Sequence, residues 1–224
     1  AESNYLYLLQ PANLKDPEFI KSLVALKPDI IVVVAFRMLP EEVWRIPAMG
    51  TINLHASLLP QYRGSAPINH AIINGESVTG LTTFLIDDKI DTGNILLREE
   101  VTIFPNENAG DLHDRLMKYG ARLIIRTLSA ITENSISPQP QTNFMIPGEI
   151  LRTAPKIFPE HCIVDWNNTP ERIHNLIRGL SPSPTARSAF IKENKTVSYK
   201  IFESLPESEA HNKRAGEISS DGKS

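Results

Sequence analysis

Asn53 and His55 stand two residues apart in Thr51-Ile52-Asn53-Leu54-His55, a stretch that reads as a β-strand. Alternate residues of a strand leave the same face, so the amide and the imidazole project together. An amide donates to a developing oxyanion, and an imidazole both donates and moves a proton. Asp91 follows in the acidic loop Asp87-Asp88-Lys89-Ile90-Asp91-Thr92-Gly93, at the end of another predicted strand. A carboxylate there orients the imidazole, biases its tautomer and holds a water. Two polar residues ending a strand are, taken alone, ordinary loop chemistry. The second acidic strand end gives the pair its weight. Asp-Thr-Gly does not mark an aspartic protease, because the chain holds no second copy.

Such residues need a rigid frame. Asp16-Pro17 opens a helix with an N-cap and a proline in its first turn, an apolar stripe follows at Ile20, Leu23, Val24 and Leu26, and Pro28 stops it. Asp29 to Phe36 is a continuous β-branched run without alternation, the pattern of a strand covered on both faces. A helical turn from Pro40 to Trp44 leads to the Thr51–His55 strand. Ser65 is expected to cap a helix that carries Pro67 and stops at Gly75. Leu81 to Ile86 and Asn94 to Val101 read as further strands. A long helix from about Asp111 to Ile131 sets Leu112, Leu116, Leu123, Leu128 and Ile131 near one face. Strands alternating with helices predict an α/β fold over residues 1–134, Rossmann-like, with a mostly parallel sheet flanked by helices. Open sheets of that kind bind ligands at the C-terminal strand ends, where Asn53 and His55 lie.

Residues 135–160 carry Pro138, Pro140, Pro147, Pro155 and Pro159 without periodicity, which predicts an extended linker. Residues 161–224 begin a second, β-rich domain. A helix starts at Thr169-Pro170 and is ended by Gly179, and Ala186–Lys192 with Thr196–Phe202 form a hairpin.

The chain has 224 residues, 41% hydrophobic and 22% charged, so a wholly disordered chain is excluded. No run approaches the ~20 apolar residues of a membrane span. Cys162 is the one cysteine, which excludes an internal disulfide and a thiolate zinc cage. A net charge of −3 argues against a generically basic nucleic-acid coat while leaving room for a local basic face. Ala1-Glu2-Ser3-Asn4 lacks the features of a secretory signal, so a soluble protein of the cytoplasm is expected. Tyr5 to Leu9 is strand-like and Asp221 to Ser224 is turn-like, so both ends read as cuts through structure.

The strand motif continues as Ser57-Leu58-Leu59-Pro60-Gln61-Tyr62-Arg63-Gly64-Ser65-Ala66-Pro67-Ile68-Asn69, followed by Gly75-Glu76 and Thr79-Gly80. Asn-x-His, Ser-Leu-Leu-Pro and Asp-Thr-Gly resemble the signature of the folate-dependent formyltransferases. The Tyr-Arg-Gly-x-Ala-Pro continuation resembles the methionyl-tRNA formyltransferase branch, and glycinamide ribonucleotide formyltransferases usually lack it. Beyond the linker, Asp165-Trp166 and Ile177 to Pro184 are similar to the opening of that family's C-terminal barrel, with Ser183 replacing its usual aromatic. The resemblance implies formyl transfer from N10-formyltetrahydrofolate to the α-amine of methionyl-initiator tRNA. It places the catalytic triplet on Asn53, His55 and Asp91. It sets the folate against Ser57, Leu58, Leu59 and Pro60, and against backbone groups of Arg37, Met38, Leu39 and the loop from Asp87. It implies no metal, no membrane and a monomer. It also implies a first strand and helix, a loop for the tRNA acceptor stem and a complete barrel, all outside this chain. The competing readings are another superfamily member, acting on an amino sugar or hydrolysing formyl-folate, and a non-catalytic folate- or RNA-binding fragment.

Other residues have plainer alternatives. Arg63 is read as a tRNA contact or a loop-ordering group. Arg115, Lys118, Arg122 and Arg126 fall near one helix face, to meet phosphates or simply solvent. His113 and His174 are expected on the surface, Cys162 as a small buried apolar group, and Trp166 as a core anchor.

Overall fold

The structure, a computed structural model, describes residues 4, 6–34, 39–192, 195–207 and 212–218. Arg37 and Met38, expected near the folate, lie outside the described residues, as do Tyr5, Ala35, Phe36 and the segment 221–224. In chain order the elements are α1 (Pro17–Ala25), β1 (Ile31–Val34), α2 (Glu41–Trp44), β2 (Thr51–His55), β3 (Arg63–Gly64), α3 (Pro67–Ile73) and β4 (Val78–Leu85). β5 (Ile95–Thr102), α4 (Ala109–Thr132), β6 (Thr153–Ala154), α5 (Pro170–Leu180), β7 (Ala186–Lys192) and β8 (Lys195–Ile201) follow.

α1 starts as its sequence dictates. Asp16 accepts a hydrogen bond from the Glu18 amide at 2.9 Å, and Pro17 occupies the first turn. β1 and β2 then run parallel, from Ile31 opposite Thr51 to Val34 opposite Leu54. β4 joins β2 antiparallel, from Ile52 opposite Leu85 to His55 opposite Thr82. β5 completes a 4-stranded sheet of order β1-β2-β4-β5. The α/β class stands, but the described sheet is mixed and not mostly parallel. The strand that breaks the parallel pattern is β4, which runs alongside β2 in the opposite direction.

Two compact units emerge. One comprises Ala1–Pro60, Leu81–Glu99 and Gly120–Ile150, and the other comprises Gln61–Gly80, Glu100–Tyr119 and Leu151–Ser224. In the first, Leu59, Phe84 and Ile95 form a buried cluster with Phe144 packed on it. Leu54 leaves β2 on the face opposite Asn53 and His55, and a Cβ at Gly120 of α4 would lie 2.6 Å from its Cδ2. α4 therefore seals one face of β2, leaving the other to the polar pair.

In the second unit α5 spaces Ile173, Leu176, Ile177 and Leu180 as one helical stripe over Cys162, Val164 and Ala186. Thr169 accepts from the Arg172 amide, the expected cap. α5 ends at Leu180, one residue past Gly179; a Cβ at Gly179 would meet Ile73 Cγ1 at 2.6 Å, so this glycine also permits the close approach of α3. Ser65 does not cap α3. The N-cap is Ala66, with no side-chain hydrogen bond, whereas Gly75 takes the left-handed φ of +74° expected of a helix stop. Trp166 is 37% exposed and donates to Ser188 Oγ at 2.9 Å, so it is not a core anchor. Leu6, Tyr7 and Leu8 are exposed and belong to no strand. Cys162 is buried, and burial raises its thiol pKa. Among the described residues no helix is long and apolar enough to cross a membrane.

Candidate active site

β2 and the β4–β5 loop build the site within the first unit. His55, the last residue of β2, is 6% exposed and stands edge-on to Phe84, 6.5 Å between ring centroids. Asn53 sits two residues earlier on the same face, half-buried. Asp91 approaches His55 from the loop, with Oδ2 at 3.8 Å from Nδ1 and 13% of its side chain exposed. That separation suits an ion pair and is too long for a direct hydrogen bond. Nδ1 is the ring nitrogen that faces the carboxylate.

The loop is tightly specified. Asp87 accepts from Thr92 Oγ1 at 2.8 and 2.9 Å and from the Lys89 amide at 3.1 Å, closing its own turn. Asp91 adopts a left-handed φ of +54°. Gly93 is required by space, since a Cβ there would fall 1.7 Å from the Leu85 carbonyl oxygen. Asp-Thr-Gly thus combines a turn anchor, a carboxylate and a point of backbone contact.

Ser57, Leu59 and Pro60 are buried, and of the four loop residues only Leu58 keeps part of its surface exposed. Thr82, opposite His55 on β4, donates to the Ser57 carbonyl at 2.6 Å and accepts from the Leu59 amide at 3.1 Å. One buried hydroxyl therefore ties this loop to the strand beside the imidazole. Leu39 is half-buried and lies outside any helix or strand.

Two contributors carry no motif. Thr82 shows only as one of a threonine pair in an apolar strand. Gln141 sits in the proline-rich segment, is 5% exposed, and donates to the Asp91 and Gly93 carbonyls, each at 2.9 Å.

The segment after Pro60 does different work, in the second unit. The Tyr62 amide donates to the Arg152 carbonyl at 2.7 Å, β3 pairs with β6, and the Ala66 amide donates to the Ala154 carbonyl at 3.1 Å. A Cβ at Gly64 would lie 2.3 Å from that same Ala154 oxygen, so only glycine permits the pairing. The Tyr62 hydroxyl donates to Glu76 Oε1 at 2.6 Å and is met by Asn74 and Arg152. The Tyr-Arg-Gly backbone is a dock for the chain after Leu151.

The basic face of α4 is partly neutralised. Arg115 forks onto buried Glu107 at 2.6 and 2.8 Å, and Arg126 reaches Glu99 at 2.7 Å. His113 is exposed beside Asp114, whereas His174 is half-buried and bonds to Ser204 Oγ at 3.0 Å. No group of three or more His, Cys, Asp or Glu side chains suited to a metal occurs among the described residues.

The formyl transferase family matches residues 2–128, and the formyl transferase C-terminal domain matches residues 156–224. The methionyl-tRNA formyltransferase of Bacteroides fragilis is 50% identical over 100% of this chain and 69% of its own length. The chain belongs to the methionyl-tRNA formyltransferase family. The family member from Flavobacterium johnsoniae is 50% identical over 97% of this chain and 68% of its own. Among solved structures, WlaRD, a sugar 3N-formyltransferase crystallised in the presence of dTDP and 5-N-formyl-THF, superposes with a TM-score of 0.61. It is 27% identical, over 82% of this chain and 64% of that one. The chain is therefore an enzyme of a formyl-transferring family, and the polar cluster on β2 and the β4–β5 loop is its candidate active site.

Proposed function

We propose that this chain moves the formyl group of N10-formyltetrahydrofolate to the α-amine of methionine carried by initiator tRNA, acting as a monomer in the cytoplasm. The observation that carries the reading is the meeting of Asp91 with His55 at 3.8 Å, on the strand face that also presents Asn53. The Asn53 amide donates to the formyl oxygen and more strongly to the oxyanion formed when the amine attacks. His55 takes the proton that the attacking nitrogen loses and returns it to N10 of the folate as the carbon–nitrogen bond breaks. Asp91 holds the imidazole in the orientation that makes Nε2 the proton carrier. A new amide bond replaces the old one, so no enzyme-bound intermediate is required. The folate is accommodated by Leu58 and by backbone groups of residues 57–60, together with Arg37, Met38 and Leu39.

Single-turnover formylation of charged initiator tRNA with saturating formyl donor tests this. Asn53→Ala should lose on the order of 10² to 10³ in turnover, the value of one oxyanion donor. Asp91→Asn should lose roughly 10² to 10⁴, with the tRNA Michaelis constant unchanged in both. The acceptor is tested by offering charged initiator tRNA, uncharged tRNA, an amino sugar and glycinamide ribonucleotide. Formylation of the amino sugar with charged tRNA left untouched would overturn the acceptor assignment.

A further inference from the structure

We infer that Gln141 is a positioning residue for Asp91, so that the geometry of the active site depends on the proline-rich segment. The inference rests on the reading of Asp91 as the partner of His55. Asp91 holds a φ of +54°, a left-handed conformation uncommon outside glycine though better tolerated by Asp than by most residues. A side chain from elsewhere in the chain fixes the turn. Gln141 Nε2 donates to the carbonyl of Asp91 and to that of Gly93, both at 2.9 Å. A carboxamide nitrogen carries two hydrogens, so one side chain can span two carbonyls of a turn. Fixing the Asp91 carbonyl fixes its peptide plane and hence the direction of its Cα–Cβ bond. The carboxylate is then held at its 3.8 Å approach to His55 Nδ1.

Gln141 can hold the turn because it is itself held on both sides. Just before it, Gln139 and Ile95 exchange both backbone hydrogen bonds at 2.8 Å. Just after it, a 3₁₀ turn over Gln141–Phe144 carries Phe144 onto the cluster of Leu59, Phe84 and Ile95. Arg98 lies across the Phe144 ring at 4.9 Å. The segment is thus anchored to the sheet that bears His55, and its one buried amide is spent on the Asp91 turn. Leucine would fill the space without donating, glutamate would set a carboxylate against two carbonyl oxygens, and asparagine is one methylene short.

The test is single-turnover formylation by the full-length protein carrying Gln141→Leu, Asp91→Ala or both. Gln141→Leu should lower turnover on the order of 10²-fold, the cost of misplacing a catalytic group by about an ångström, with both Michaelis constants unchanged. A general loss of structure would not produce that split. The double variant should be no slower than Asp91→Ala alone, since Gln141 acts through Asp91. Gln141→Asn, which keeps both donors on a shorter side chain, carries the same comparison if Gln141→Leu does not fold. Normal turnover in the Gln141 variant with a large loss in Asp91→Ala would overturn this inference and leave the role of Asp91 standing. Losses that multiply would also overturn it, because Gln141 would then act elsewhere. Near-normal turnover in Asp91→Ala would remove the role of Asp91 itself, and the inference with it.

Discussion

A carboxylate 3.8 Å from an imidazole, both nearly buried, interacts more strongly than the same pair in water, because little solvent screens it. That is enough to orient a ring without a direct hydrogen bond, and catalytic hydrogen bonds commonly tighten only when substrate binds. Tyr62 shows the opposite use of a polar group, one whose proton must stay. Burial chiefly, and then its hydrogen bond to Glu76, raises the phenol above its ordinary value of 10.0. The folded state therefore holds this proton more tightly than the unfolded chain does. Its stabilising contribution is complete below pH ~10 and is lost as pH climbs toward the raised folded value. Tyr62→Phe removes that dependence while leaving the Arg152–Glu76 ion pair at 2.7 Å in place. Urea midpoints from about pH 9 to 11 should fall more steeply for the natural protein than for the variant. Parallel slopes would show that the phenol titrates no differently in the two states.

At the level of elements, glycine inside a helix is a packing statement. Gly179 lets α3 approach α5, with Asn69 Nδ2 donating to the Gly179 carbonyl at 2.7 Å. Gly179→Ala gains roughly 1 kcal/mol of helix propensity but overpacks against Ile73, which typically costs 1–3 kcal/mol. Because the neighbours include the Ile73 backbone nitrogen at 3.0 Å, relief requires moving a helix, and overpacking wins. A fall in melting temperature of about 2–6 °C is expected, and a rise would show that the interface yields easily. The same position shows what a sequence reading misses: the stop it predicts at Gly179 comes within one residue of the observed end at Leu180, but the packing of α3 against that glycine depends on a helix distant in sequence. Where the signal is local the reading holds. Asp16-Pro17 caps α1 as expected, and β2 occupies the predicted Thr51–His55. Thr82 and Gln141 leave no trace in the sequence because each acts through contacts with residues 23 to 50 positions away. No period or motif records such a pairing.

For the molecule as a whole, composition separated a first domain, a proline-rich segment and a second domain in chain order. The family matches follow that order, at residues 2–128 and 156–224, while the compact units are interleaved along the sequence, with residues 135–150 in the first and Leu151 onward in the second. Charge raises a similar question about the whole surface. The net charge of −3 gives no general attraction to a polyanion, so tRNA affinity has to come from cations that the fold leaves available. Several are already committed, with Arg115 on Glu107, Arg126 on Glu99, Arg152 on Glu76 and Arg45 on Glu41. Each phosphate that a protein neutralises releases counterions and adds to both affinity and salt sensitivity. A chain without a net excess of cations should therefore bind initiator tRNA only in the range of non-specific association, with Kd about 10⁻⁴ to 10⁻⁶ M at physiological salt. Fluorescence anisotropy of labelled initiator tRNA titrated with the 224-residue chain at several salt concentrations measures both quantities. The slope of log Kd against log salt counts the phosphates engaged, at about 0.7 to 0.9 per contact. Charge-reversing Lys118 should reduce that slope by about one contact if the α4 face meets the backbone, and leave it unchanged if that face meets solvent. Submicromolar binding at physiological salt would mean that the ion pairs on α4 open to the RNA, and the charge argument would fail at its central step.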